Sequence, residues 1–278
     1  MKIPSWLQKI IDKIKLWINN NTTTTTTTPS GTTTTTTTPS DSGNPTGKLK
    51  GYGMVNMWLT LSSSAMESMF KSLKDNGCNM TSIELFGREE DGWINDQNKV
   101  KSQFDTFIKL ARSYHINVFV DIVNWGSTSL TSKDDAWFQG YLDFLKGYGP
   151  SNLIVQACGE GSGEKATRWY SMMENTLTGF SLSYNMGSRP TTASSRYQYI
   201  DYHLASMSDM SPTDSRIIFN TDSGILNEMM NGGVLGQTFI TDKVIQFATP
   251  LKSRSVNLYG YYHKTCDTNA IKTLCSVK

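Results

Sequence analysis

From Lys48 onward the chain alternates short strand-like runs with amphipathic helical stretches, and this alternation constrains its fold more than any other feature. The strand-like runs are Gly53–Leu59, Met80–Phe86, Ile116–Val123, Asn152–Cys158, Phe180–Asn185, Tyr197–Leu204, Arg216–Thr221 and Ser255–Tyr262. Short apolar runs of this kind suit strands covered on both faces. Between them, Ser64–Asn76, Val100–Tyr114, Asp134–Gly147, Lys165–Leu177 and Val234–Ala248 carry apolar residues at helical spacing. Met66, Met69, Phe70 and Leu73 share one face of the first helix, and Gly77 is its natural C-cap. Arg189–Arg196 has no strong helical pattern, and the tail leaves room for only a short last helix. Eight strands separated mostly by helices over about 230 residues predict a (β/α)8 TIM barrel of the α/β class. A doubly wound open sheet is the main rival. No GxGxxG or phosphate loop follows the first strand, which weakens the nucleotide-binding form of that rival.

The fourth run leads directly into Gly159-Glu160-Gly161-Ser162-Gly163-Glu164. A carboxylate at the C-terminal tip of a buried strand, on glycine-loosened backbone, sits where α/β barrels place their chemistry. Glu160 is therefore a catalytic candidate, against the plainer reading of a loop acid.

Composition excludes several function classes. The net charge is +2, with no basic stripe and no nucleic-acid motif, so nucleic acid is not the expected partner. Three histidines and no CxxC pair leave no expected metal site, and no cofactor is implied. Of the four cysteines, Cys266 and Cys275 are close enough in sequence to bridge, although a buried or free thiol is the expected state of each. No apolar run reaches the roughly 18 residues of a membrane-spanning helix. Lysines interrupt the N-terminus, so no cleavable signal peptide is recognised.

The chain divides into three parts: residues 1–20, 21–47 and 48–278. The first reads as an amphipathic helix with Ser5 as N-cap. Ile3, Leu7, Ile10, Ile14 and Trp17 form a heptad seam, widened by Trp6, Ile11 and Ile18. Lys2, Lys9, Lys13 and Lys15 make its polar face positive. Such a helix can lie on an anionic membrane surface, dock on a larger assembly, self-associate, or pack on its own domain, the last being disfavoured by the linker that follows. The second part is a near-duplicated Thr/Pro/Ser tract with almost no apolar side chains. It cannot offset its ordering entropy and reads as a spacer. The third part is the barrel. Anchor plus spacer suits an extracellular, surface-bound or virion-associated protein.

The barrel segment resembles the cellulase-like glycoside hydrolases. The resemblance rests on Met66–Leu85 with its Lys-Asp-Asn-Gly-Cys-Asn, on Phe107–Trp125, on Phe144–Glu160 and on Arg216–Gly224. It implies a (β/α)8 barrel that cleaves β-linked glycans with retention, using one acid after strand four and another after strand seven. On this mapping Glu160 takes the acid/base position and Asp222 the nucleophile position. His203 falls near the aromatic-rich end of strand six. The chain departs from the family pattern at Gly159 (usually Asn), Val123 (usually His) and Asp222 (usually Glu). It also lacks the strand-two Arg, and has Tyr261-Tyr262-His263 where the family ends strand eight with Trp.

Retaining hydrolysis needs two carboxyls about 5–5.5 Å apart, and inversion about 6.5–9.5 Å. Asp222 withdraws its carboxylate by about 1.5 Å relative to Glu, so both outcomes stay open, as does a barrel that only binds glycan. Aromatic platforms and polar clamps would come from Trp58, Trp93, Asn124, Trp125, Tyr184, His203 and Tyr262, each placed at or just past a strand end. Glu84 and Asp121 lie within strands, where an acid is costly unless paired, so each either points into the mouth or meets a buried cation.

Overall fold

The computed structural model describes residues 47–277, apart from 56, 87–96, 125–132, 160–162, 187–194, 205, 208–209, 222, 234–237 and 261–266. The amphipathic helix and Thr-rich spacer lie outside the described residues. Eight strands form the barrel: β1 (Lys50–Gly53), β2 (Met80–Phe86), β3 (Asn117–Asn124), β4 (Leu153–Gly159), β5 (Ser181–Asn185), β6 (Tyr197–Leu204), β7 (Ile217–Thr221) and β8 (Ser255–Tyr259). They pair in parallel in sequence order, and β1 closes on β8 with Gly51 opposite Asn257. Among the described residues seven α-helices accompany them: α1 (Ser63–Asp75), α2 (Gln97–Ser113), α3 (Asp135–Lys146), α4 (Glu164–Thr176), α5 (Ser223–Met229), α6 (Thr241–Ala248) and α7 (Thr268–Ser276). This is a (β/α)8 barrel, and the open-sheet alternative falls.

Local chemistry sets the element ends. Ser62 caps α1 by accepting the Ala65 N–H, and Gly77 follows the helix at φ +82°. Asp134 caps α3 by accepting the Trp137 N–H at 2.8 Å, and Asp267 caps α7 by accepting that of Ala270 at 2.9 Å. His115, at φ 56°, turns the chain from α2 into β3.

Between barrel and helices lies a continuous apolar layer. Phe138 and Trp169 stack across α3 and α4 with centroids 4.5 Å apart, and Phe70 meets Phe107 edge-on across α1 and α2 at 4.9 Å. Such pairs add about 0.5–1.5 kcal/mol beyond their buried area. A second cluster is separate: Leu49, Met80, Phe119, Ile154, Tyr199 and Ile218. These residues come from around the ring and sit at the N-terminal ends of their strands, so they plug the barrel interior from below.

Two expectations need correction. The first strand is not Gly53–Leu59. β1 ends at Gly53, Val55 turns at φ 45°, and Met57–Leu59 form a 3-10 turn. Periodicity does not separate a short buried strand from a short buried helical turn. Gly51 belongs to the true strand because a Cβ there would meet the Met80 carbonyl oxygen at 2.7 Å. Second, Cys275 pairs with Cys78, with Cα atoms 5.5 Å apart across 197 positions. Neither is a free thiol. Cys158 is a buried thiol that joins no disulfide, while Cys266 lies outside the described residues.

Candidate active site

Above the apolar plug the barrel interior turns polar. Ser82, Glu84, Asp121, Gln156, Ser183, Asn185, Asp201, Asn220 and Asn257 are all buried, and those on β2, β3, β4, β6 and β7 lie beyond the plug residue of their strand, toward its C-terminal end. Hydrogen bonds that skip a strand show that these side chains meet inside the ring. Gln156 of β4 donates to Asp201 Oδ2 of β6 at 2.8 Å. Asn257 of β8 donates to Ser82 Oγ of β2 at 2.8 Å, across the position of β1. β1 offers only Gly51 and Gly53 here, and a Cβ at Gly53 would strike Ser82 Oγ.

Asp201 is the hub. It is fully buried and accepts from Gln156 Nε2, from Asn185 Nδ2 at 3.0 Å and from Asn220 Nδ2. His203 Nε2 stands 3.1 Å from its Oδ2. Burial opposes the Asp201 charge, yet His203 and these donors outweigh it and hold the carboxyl below its ordinary value.

Asp121 is held differently. It sits opposite Glu84 on β2 and Gln156 on β4. Burial pushes its carboxyl well above the ordinary range, the Glu84 and Asp201 carboxylates push it further, and His203 and a hydrogen bond from Gln156 pull only partly back. Its Oδ1 has no hydrogen-bond partner among the described residues. Its Oδ2 fills the space that a side chain at residue 159 would need, so a Cβ on Gly159 would clash with it. The backbone beside Glu160 thus lacks a side chain because Asp121 reaches across from β3.

The positions expected to line a sugar site divide three ways. His203 is on the rim, largely buried, and edge-on to Tyr259 at 5.8 Å. Trp58 is not a platform: it is fully buried, donates its indole N–H to the Glu84 carbonyl at 3.1 Å, and packs edge-on against Phe104 and Phe107. Tyr184 is likewise core, edge-on to Tyr197 at 5.2 Å. Both corrections share one cause, since an aromatic near a strand end can turn toward the helices as readily as toward the mouth. Glu160, Asp222, Trp93, Trp125 and Tyr262 lie outside the described residues, as does the side chain of Asn124. β4 ends at Gly159 and β7 at Thr221, the residues immediately before Glu160 and Asp222.

Sequence reasoning did not single out Asp201, Gln156, Asn185, Asn220 or Asn257. The available signal was a polar residue set within an apolar run, as Gln156 is in Leu-Ile-Val-Gln-Ala and Asn220 in Ile-Ile-Phe-Asn. Among the described residues, no group of three His, Cys, Asp or Glu side chains can hold a metal ion.

A polar, carboxylate-rich layer under the C-terminal rim of a closed parallel barrel invites comparison with solved structures. The barrel resembles those of glycoside hydrolases. A family 5 glycoside hydrolase from Bacteroides vulgatus superposes with a TM-score of 0.55 at 14% identity, over 78% of this chain and 58% of that one. An endo-1,4-beta-mannanase from Rhizomucor miehei gives 0.55 at 10% identity, over 84% and 97%. A family 5 lichenase from Caldicellulosiruptor, in complex with cellotetraose, gives 0.52 at 8% identity, over 82% and 92%. At these identities the glycoside-hydrolase likeness is one of fold. No protein-family model matches the sequence, and no curated protein does.

Proposed function

We propose that the barrel is a glycoside hydrolase acting on a β-linked poly- or oligosaccharide, tethered to a surface or particle by its N-terminal helix. The observation that carries this reading is the asymmetric filling of the barrel, with an apolar plug below and a polar, acid-lined layer beneath the rim where such barrels work. Glu160 and Asp222 directly follow the ends of β4 and β7, on opposite sides of the ring. In this role Glu160 protonates the departing glycosidic oxygen as its bond to the sugar breaks. Asp222 either attacks the sugar carbon or takes a proton from the attacking water. The Cys78–Cys275 disulfide supports an oxidising, extracellular or surface setting for the chain. Glu160→Gln is expected to abolish release of reducing sugar while glycan binding persists. Unchanged turnover in that variant would remove Glu160 from the mechanism.

One observation favours a second reading, a non-catalytic carbohydrate-binding barrel displayed on a virion or envelope. The residue beside Glu160 has no side chain, and the Asp121 carboxyl occupies the space instead. That reading expects saturable glycan binding with no product at any protein concentration.

A further inference from the structure

We infer that a cleft between α2 and α3, on the outer wall of the barrel, is a second saccharide-binding site that seats a ring of a β-linked glycan. The class of ligand rests on the glycoside-hydrolase reading, and the place rests on the cleft itself.

The cleft follows from one residue of α3. Trp137, Gly140, Tyr141 and Phe144 fall at helical spacing on one face of that helix, and three of the four are aromatic. Gly140 leaves a gap in the stripe: it is exposed, and a Cβ there would meet nothing within 4 Å. A glycine inside a helix is less favourable than a straight-chain residue, and here no packing neighbour requires it. What its missing side chain provides is space. The gap opens into a cleft of about 220 Å³, with Gln97, Val100 and Lys101 of α2 on the other side. Farther along, the two helices meet, since Phe104 of α2 lies 5.2 Å from Phe144 of α3 between ring centroids.

The lining selects the occupant. Trp137 and Phe144 are half-buried and Tyr141 is buried, so the α3 wall is aromatic. Opposite it, Gln97 and Lys101 are exposed, and neither has a hydrogen-bond or ion-pair partner among the described residues. A pyranose has an apolar C–H face for the aromatic wall and an edge of hydroxyls that can accept from the amide and the ammonium. A cation is disfavoured, because among the described residues no carboxylate lines the cleft and Lys133 Nζ stands 5.6 Å over the Trp137 ring. An extended peptide would find no strand edge between two helices. The volume lies below the about 300–1,000 Å³ of a pocket for a drug-sized ligand, so the cleft suits a ring or two of a longer glycan. Its position fits the same ligand. Gln97 opens α2 and Trp137 lies in the first turn of α3, the helices that follow β2 and β3. The cleft therefore opens toward the end of the barrel that carries the mouth, on its flank.

The test uses the full chain carrying Glu160→Gln, so that binding is read without turnover. With its tryptophan indoles isotopically labelled for magnetic resonance, it is titrated in turn with hexamers of β-1,4-linked glucose, mannose and xylose. At least one hexamer is expected to shift the Trp137 indole signal saturably. The signal of Trp58, buried with its N–H on the Glu84 carbonyl, should stay still. Trp137→Phe identifies the responding signal. Adding Gly140→Met fills the gap with a better helix former, so it is expected to weaken the binding at least tenfold without lowering the melting temperature. Adding Lys101→Glu, at an exposed position, is expected to weaken it too, and decides the matter if the Gly140 variant fails to fold. No response of Trp137 to any hexamer, or an affinity that a folded variant leaves unchanged, would overturn the inference. A response that appears only when Leu7, Ile10 and Ile14 are replaced by Ser would assign the cleft to the N-terminal helix and overturn it equally. Cleavage by the chain with Glu160 intact separates the two readings. A hexamer cut while Trp137 stays silent keeps the hydrolase and removes the second site. A hexamer that shifts Trp137 but is not cut keeps the second site and removes the hydrolase.

Discussion

Asp121 lies mid-strand between Val120 and Ile122, and its surroundings disfavour its charge. Burial and two neighbouring carboxylates raise its folded-state value well above the 3.8 of an unperturbed aspartate. An acid with a raised value in the fold binds its proton more tightly there than in the unfolded chain. Its contribution to stability is fully present below about pH 3.8 and is lost as pH rises through the folded-state value. At neutral pH Asp121 therefore weakens the fold. Asp121→Asn keeps the shape and removes the charge. The variant should melt higher than the parent at pH 7, and its advantage should shrink toward zero as the pH falls to about 4. Melting curves across that range check this; a variant less stable than its parent at pH 7 would mean that the carboxylate has a stabilising partner. A residue that costs stability where it stands is often kept for binding or catalysis. Gly159 belongs to this account, since any side chain there would displace the Asp121 carboxyl.

At the scale of elements, α7 closes the fold. Its Cys275 is joined to Cys78, which lies between α1 and β2, and Ile271 and Leu274 of the same helix are buried. The bridge spans 197 positions, a loop long enough for the chain-entropy model to give about 5 kcal/mol, against about 2–4 kcal/mol in common experience. Cys78→Ser should lower the melting temperature by about 5–15 °C for a domain of this size. Reductant should lower that of the parent similarly and leave the variant unmoved. A parent insensitive to reductant would show the two cysteines unpaired. This bridge was not legible in the sequence, because only the fold brings positions so far apart together. The strands were legible where burial on both faces leaves an unbroken apolar run: Met80–Phe86 and Tyr197–Leu204 have the expected bounds. β1 was misread because Gly51 and Gly53, needed for close approach, dilute its apolar signal, while Met57–Leu59 mimic a strand. α5 was missed since seven residues barely establish a period, and α6 begins at Thr241 rather than Val234. Glu84 and Asp121 stood out as acids inside strands, whereas the amides that complete the layer carry no charge to draw notice. Trp58 misled because strand-end position does not fix the direction of a side chain.

At the scale of the whole chain, the barrel holds its own plug, its own outer apolar layer and its own disulfide, all within residues 49–277. The tract before it has two runs of seven threonines separated by Pro-Ser-Gly, a composition with almost no apolar side chains to bury. Folding and recruitment should therefore separate cleanly. A chain beginning at Lys48 should melt within about a degree of the full chain, because the apolar seam of residues 1–20 is expected to meet an outside partner and the Thr/Pro/Ser tract carries almost no apolar side chains. Toward a soluble oligosaccharide the two should behave alike. Their difference should appear on a surface: the full chain should sediment with vesicles rich in anionic lipid or with particles that bind its basic helix, and the shortened chain should stay in solution. Replacing Leu7, Ile10 and Ile14 by Ser in the full chain should reproduce the shortened form, since it removes the apolar seam and keeps the lysines. A shortened chain that melts several degrees lower would instead show that the helix packs on its own barrel, and the tether would lose its role.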